Sequence, residues 1–317
     1  MKYADMHCDT VTRLYRKQGD LLENDCHIDI RKLQQGQCLL QNFAIFTKTD
    51  VQDSSFTHQA IDYYYEQLDK NRDTIIPVFR YEDILENEKN GYINAVLTLE
   101  DGGVIDNDLD NLNRYYDKGV RMIALTWNFP NGIGYPNMDG RAPSLYTVNT
   151  KDGLTPFGIE YVRRMEELGI VVDVSHLSDK GFYDVLEYTT KPFVASHSNA
   201  RSICPVARNL DDDMIRKLSE RGGVMGLNFC SAFIEDHNEK MTLIKDMVRH
   251  IDHVVEVGGI DCIGMGSDFD GIDNDLEIKD ASGMQLLYEA LKEHYSEEDL
   301  EKIFYRNVLR VYREVWK

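Results

Sequence analysis

The sequence predicts an α/β fold, a (β/α)8 TIM barrel. Three observations carry that prediction. Eight short, nearly continuous apolar runs recur along the 317 residues, amphipathic segments long enough to cross back separate them, and polar metal-binding residue types close several of the runs. Apolar strands alternating with helices specify a parallel sheet covered on both faces, and eight repeats favour closure. An open doubly wound sheet is the alternative, but the first strand-to-helix turn lacks the GxGxxG cradle that such sheets use for dinucleotides. Length alone suits one large domain or two small ones. The sustained alternation assigns residues 1–317 to one barrel domain.

The first run, Tyr3, Ala4 and Met6, leads into His7-Cys8-Asp9. The second, Cys38–Phe46, precedes a helical pattern from Thr57 to Arg72 with Ile61, Tyr64, Tyr65 and Leu68 on one face. Further strands are expected at Ile93–Leu99, Val120–Trp127, Ile170–Val174, Phe193–Ser196, Val224–Phe229 and Cys262–Met265. Helices are expected at Leu109–Lys118, Pro156–Leu168, Asp179–Tyr188, Asp211–Glu220 and Met241–Val257, with Gly119, Gly169 and Gly222 as stops. The stretch from Asn128 to Leu154 is rich in glycine and proline and shows no period. It reads as an active-site loop, because the strand-helix rhythm resumes directly after it.

A formal charge of −20 and a pI near 4.8 argue against nucleic acid or an anionic membrane as partner, since a polyanion would be repelled before specific contact. No run approaches the length of a membrane span. The six cysteines are scattered without a CxxC, and the opening Met-Lys-Tyr-Ala-Asp lacks the apolar core of a secretory signal. Reduced thiols in the cytoplasm are therefore expected.

In a barrel, the C-terminal ends of the strands face one cavity. Here those ends read His7-Cys8-Asp9, Glu100-Asp101-Gly102, Ser175-His176, Ser196-His197 and Ser267-Asp268. Three histidines thus arrive at one rim with the carboxylates of Asp9, Glu100 and Asp268. Zinc accepts imidazole nitrogen and carboxylate oxygen, and two ions roughly 3.5–4 Å apart need a bridging ligand. His7 and Asp9 are expected to hold one ion and His176 and His197 the other, with Glu100 between them. Cys8 should point away by strand alternation and pack. Two cations sharing one water lower its pKa toward ~7 and so supply a bridging hydroxide at neutral pH. Asp268 could accept the proton of that water and pass it to a leaving amine. A second HxD, His27 to Asp29, leads into a helix start and is not expected to bind metal. The remaining histidines, His27, His58, His237, His250, His253 and His294, fall in helices or loops and read as solvated.

Together these residues resemble the membrane dipeptidase family, also called renal dipeptidases, which are two-zinc metallopeptidases on a (β/α)8 barrel. The resemblance covers nearly the whole chain and rests on HCDT at the start, LTLEDGG at 97–103, DVSH at 173–176, ASHSNARSICPVARN at 195–209 and GMGSDFDG at 264–271. It implies the same ligand set, with Glu100 bridging. It also implies that Asp268 contacts the water and that Arg208 grips the free carboxylate of a dipeptide, a role suited to the bidentate guanidinium fork. Tolerance for a C-terminal D-residue and a homodimer are further implications. One departure stands out: mammalian members have a histidine where this chain has Trp127, in Leu125-Thr126-Trp127-Asn128. Trp127 offers one N–H, so oxyanion stabilisation would shift to zinc or Asn128.

The expected activity is therefore hydrolysis of small dipeptides with two zinc ions per chain, manganese or cobalt being chemically admissible. Two alternatives remain open at this point. One is an amidohydrolase-like enzyme acting on a cyclic amide, although the lysine such enzymes place on the fourth strand is missing from Val120–Trp127. The other is a barrel that has lost catalysis, although no ligand is lost.

Overall fold

The computed structural model describes residues 1–140, 144–236 and 240–317. Eight parallel strands close on themselves: β1 Tyr3–Asp5, β2 Cys38–Phe46, β3 Ile93–Glu100, β4 Val120–Ala124, β5 Val171–Asp173, β6 Val194–Ser198, β7 Val224–Leu227 and β8 Ile263–Met265. Each pairs with its sequence neighbour, and β8 returns to β1 through Met265 and Asp5. The longest register is β2 on β3, from Leu40 opposite Asn94 to Phe46 opposite Glu100. That ladder delivers Glu100 to the rim with Phe46 beside it.

The strands carry mostly apolar residues that fill the interior and the layer under the helices. The base of the barrel is plugged by polar pairing: Asn42 and Tyr312 exchange hydrogen bonds, the carboxamide donating to the phenol at 2.7 Å. Tyr312 lies on the helix Asn307–Val315, whose Asn307 also donates to the Ile263 carbonyl at 2.8 Å.

Most expected helices appear within a few residues of their sequence positions. Pro156–Leu168 is capped by Thr155 and closed by Gly169 in the left-handed region at φ 87°, a conformation that glycine adopts without a Cβ clash. Two expectations are corrected. The segment expected as one helix from Met241 begins as a two-residue strand, Met241–Thr242, paired with Asp275–Leu276, and turns helical only at Ile244. The expected strand Val120–Trp127 stops at Ala124, because residues 125–128 peel away to form part of the cavity wall. A further short strand, Ile75–Pro77, sits on the edge of β3 outside the barrel. Of the loop 128–154, residues 141–143 lie outside the described residues, as does His237.

Candidate metal centre

β1 ends at Asp5, whose buried carboxylate accepts from the backbone N–H of His7 at 3.2 Å and from Ser267 N–H and Oγ at 2.9 and 2.6 Å. The chain is thereby turned so that His7 and Asp9 face the cavity, with Asp9 at the N-cap position of the helix Thr10–Lys17. Cys8 lies fully buried between them, its thiol directed at the Asn42 carbonyl, as strand alternation requires. A matching device works across the barrel. Asp173, last residue of β5, accepts from Ser175 N–H, Ser196 N–H and Ser196 Oγ at 2.9, 2.9 and 2.5 Å. Asp101, His176, Asp268 and Asp270 all adopt φ between 61° and 72°. Non-glycine residues avoid that region at a cost of about 1–3 kcal/mol each, and such strain gathers at functional sites.

The five expected ligands and Asp268 do converge. Glu100 is the hinge of the arrangement. Its Oε2 lies 3.4 Å from His7 Nε2, and its Oε1 lies 3.1 Å from His176 Nε2 and 3.6 Å from His197 Nε2. Asp9 Oδ2 is 3.3 Å from His7 Nε2, and Asp268 Oδ1 is 3.8 Å from it. Two ligand groups share Glu100, His7-Asp9-Glu100 and Glu100-His176-His197, and a third joins His7, His197 and Asp268, each with its donor atoms within 4.8 Å of one another. The carboxylate of Glu100 turns one oxygen to each of the two groups it belongs to.

Hydrogen bonding fixes which nitrogen of each second-group histidine is free. Asn128 Oδ1 accepts from His176 Nδ1 at 2.8 Å. Ser196 Oγ already donates to Asp173, so at 2.7 Å it must accept from His197 Nδ1. Both Nε2 atoms therefore present lone pairs, yet they stand 3.1 Å apart and share Glu100 Oε1. Burial, with the positive charges of Arg208 and His7, holds both rings well below the usual imidazole range. The two lone pairs and the Glu100 carboxyl thus crowd one spot, an arrangement that a cation would resolve.

The first group shows the same deficit. His7 Nε2 and Asp9 Oδ1 are buried without a hydrogen-bond partner among the described residues. Burial and the charge of Asp9 push Glu100 up to about 8 despite His7. Burial opposes charge on His7, but Glu100 and Asp9 overcome it and hold its pKa well above the ordinary value. Burial and Asp9 likewise lift Asp268 to about 6 against the pull of His7 and Arg208. Carboxylates this crowded and this dry match the donor chemistry of divalent metal.

The site opens into a cavity of about 730 Å³. Phe46 and Trp127, 4.9 Å apart between ring centroids, form an aromatic wall. Asn128 also lines it, though its carboxamide oxygen is committed to His176. Arg208 is buried, only 3% exposed. It donates to Ser198 Oγ at 2.7 Å and to the His197 carbonyl at 2.8 Å, and its guanidinium carbon is 5.7 Å from the centre of the Phe233 ring. Its Nε has no partner among the described residues, and it forms no pair with Asp211 or Asp212.

The second HxD stays apart from this centre. Asp29 caps the helix Ile30–Gln35 and pairs with Lys32 at 2.8 Å, while His27 Nδ1 accepts from the Asp270 backbone N–H at 3.0 Å. His250, expected in solvent, is fully buried. Sequence reasoning named Asn128 only for oxyanion stabilisation and missed its hold on His176, and it missed the supporting roles of Ser196, Asp173 and Asp5. A signal was present in the Asp-x-His of 5–7 and the Asp-x-Ser-His of 173–176, where a carboxylate can bond the N–H two residues on.

A closed parallel barrel with a buried histidine-carboxylate cluster at its C-terminal rim defines the metallohydrolase class. The model of the membrane dipeptidase family (peptidase family M19) matches residues 1–317, and the chain belongs to that family of metal-dependent dipeptidases. An uncharacterised protein from Klebsiella pneumoniae is 36% identical over 238 residues, 74% of this chain and 87% of its own. An uncharacterised dipeptidase from Schizosaccharomyces pombe is 32% identical over 307 residues, 91% of this chain and 72% of its own. The crystal structure of a dipeptidase of the same peptidase family superposes with a TM-score of 0.91 at 27% identity, covering 100% of this chain and 99% of that one. A Rhodobacter sphaeroides metallopeptidase bound to a phosphinate mimic of L-Ala-D-Ala gives a TM-score of 0.89 at 25% identity, with coverage of 100% and 99%. Among the described residues, no helix is long and apolar enough to cross a membrane.

Proposed function

We propose that this chain hydrolyses small dipeptides with two zinc ions, one held by His7, Asp9 and Glu100 and the other by Glu100, His176 and His197. The observation that carries this reading is the split of Glu100, one carboxylate oxygen toward each histidine group. When bound, such a pair of cations polarises the scissile carbonyl and makes a water nucleophilic near neutral pH.

The chain's own residues do the rest. Asn128 and Ser196 hold the imidazoles of His176 and His197 with Nε2 forward, so the ligands are preorganised. Asn228 donates to Asp268 Oδ2 at 3.0 Å and leaves Oδ1 directed at the cluster. Asp268 there accepts the proton of the attacking water and returns it to the departing amine. Arg208 holds the C-terminal carboxylate through donors that Ser198 and the His197 carbonyl leave free. Trp127 and Phe46 exclude water from one side and favour compact substrates. The phosphinate dipeptide mimic bound to the Rhodobacter sphaeroides relative supports acceptance of a C-terminal D-residue. Six cysteines without a disulfide support a reducing, cytoplasmic setting, and the family resemblance extends to a homodimer.

The test is hydrolysis of an L,L- and L,D-dipeptide panel before and after chelation, with zinc restored afterwards. Cleavage that is lost with chelator and regained with zinc is expected. Metal-bound protein that cleaves no dipeptide but opens a cyclic amide would favour the other hydrolase reading.

A further inference from the structure

The helix that starts beside Asp9 lines the cavity along most of its length. Asp9, Thr12, Arg13, Arg16 and Lys17 all border the cavity, and separations of three and four residues place them on one helical face. Asp9 is at the floor. Arg13 stands one turn above it, its backbone N–H donating to the Asp9 carbonyl at 3.0 Å, and Arg16 and Lys17 follow on the next turn.

Among the described residues, two of these cations lack a counter-charge. Arg13 is half-buried and makes one hydrogen bond, from Nη1 to the Asp270 carbonyl at 3.4 Å. The Asp270 carboxylate itself is turned away, accepting from Thr10 Oγ1, His27 N–H and Ile28 N–H at 2.5, 2.8 and 3.3 Å. Arg16 donates to Gln52 Oε1 at 3.4 Å and lies over the Phe56 ring at 5.2 Å. Lys17 differs, because Asp25 sits 3.6 Å from it. Asp273 is an exposed acid at the same mouth, and neither guanidinium forms an ion pair with it. In a chain of net charge −20, two unpaired guanidiniums on the path to the floor mark a place where an anion is drawn in.

We infer that Arg13, with Arg16 above it, forms a side-chain subsite selecting dipeptides that contain aspartate or glutamate. This deepens the dipeptidase reading and rests on it. An ordinary dipeptide is a zwitterion without net charge, and its main-chain carboxylate is assigned to Arg208. An acidic dipeptide brings one more carboxylate, which a guanidinium fork binds bidentately.

The test uses the full chain with zinc and isosteric pairs that differ only in charge, Ala-Glu with Ala-Gln and Glu-Ala with Gln-Ala. In at least one pair the acidic member is expected to have a kcat/KM roughly tenfold higher, the scale of one charge-assisted hydrogen bond. That ratio should fall toward one in Arg13→Met, recover in part in Arg13→Lys, and shrink as salt is raised. Equal rates within both pairs for the wild type would overturn the inference while leaving the dipeptidase reading intact. An equal loss for acidic and amide members in Arg13→Met would overturn it too, by assigning Arg13 to the main chain of every substrate. Failure to cleave any member would overturn both readings.

Discussion

His250 ties together two segments around the cavity and makes the fold sensitive to acid. Its Nδ1 accepts from the Ala200 N–H at 3.1 Å, three residues beyond His197, and its Nε2 donates to the Ile234 carbonyl at 2.7 Å. Ile234 closes the short helix Ser231–Ile234, and Ser231, Ala232 and Phe233 border the cavity. A neutral ring satisfies both bonds, whereas a protonated one would set two N–H groups against each other. Burial, aided by Arg249 and His253 and opposed by the Ile234 bond and Glu235, lowers the pKa from 6.5 to about 4. The folded value is below the unfolded one, so the unfolded chain binds more protons between them and stability falls as pH falls. The contribution is fully present above the unfolded value. Roughly 1 kcal/mol of it is lost by about pH 5.5, and roughly 3 kcal/mol once pH is below the folded value. Urea unfolding with excess EDTA, near pH 8 and pH 5.5, isolates this from metal release. The wild type should lose roughly 1 kcal/mol more across that interval than His250→Gln, which cannot titrate there. Equal losses in the two proteins would refute the assignment.

Three substitutions test the site. Asp268→Asn should keep bound metal and lower turnover by about 10²-fold or more, and a variant turning over at the wild-type rate would remove the proton-transfer role. Arg208→Ala should raise KM for free dipeptides far more than for C-terminally amidated ones; an equal effect on both would discard the carboxylate grip. Asn128→Leu removes the acceptor that orients His176 and should weaken metal retention or activity by roughly 10–100-fold, read as the chelator concentration that halves the rate. An unchanged concentration together with unchanged activity would contradict that positioning.

The barrel is legible in the sequence because buried parallel strands must be apolar on both faces. Runs such as Ile93–Glu100 and Val194–Ser198 therefore announce themselves, and the residues that close them gather at one rim. The strand Ile75–Pro77 is not legible: it is three residues long, ends in proline and is held by pairing with β3 alone. Met241–Thr242 was hidden by the helical period that begins just after it. The ligand positions could be found because each is a metal-binding type at a strand end. Their supports could not, since Asp173 reaching Ser196, or Asp5 reaching Ser267, joins residues that only the closed sheet makes neighbours. His250 misled for a related reason. A histidine on an amphipathic helix looks solvated until the tertiary partners of both ring nitrogens are known.

Metal content after equilibrium dialysis against zinc, measured by mass spectrometry on the wild type and on Glu100→Gln, shows whether Glu100 joins two cation sites. Two zinc ions per chain are expected in the wild type and at most one in the variant. A single ion in the wild type, or two retained by the variant, would rule out a bridging Glu100.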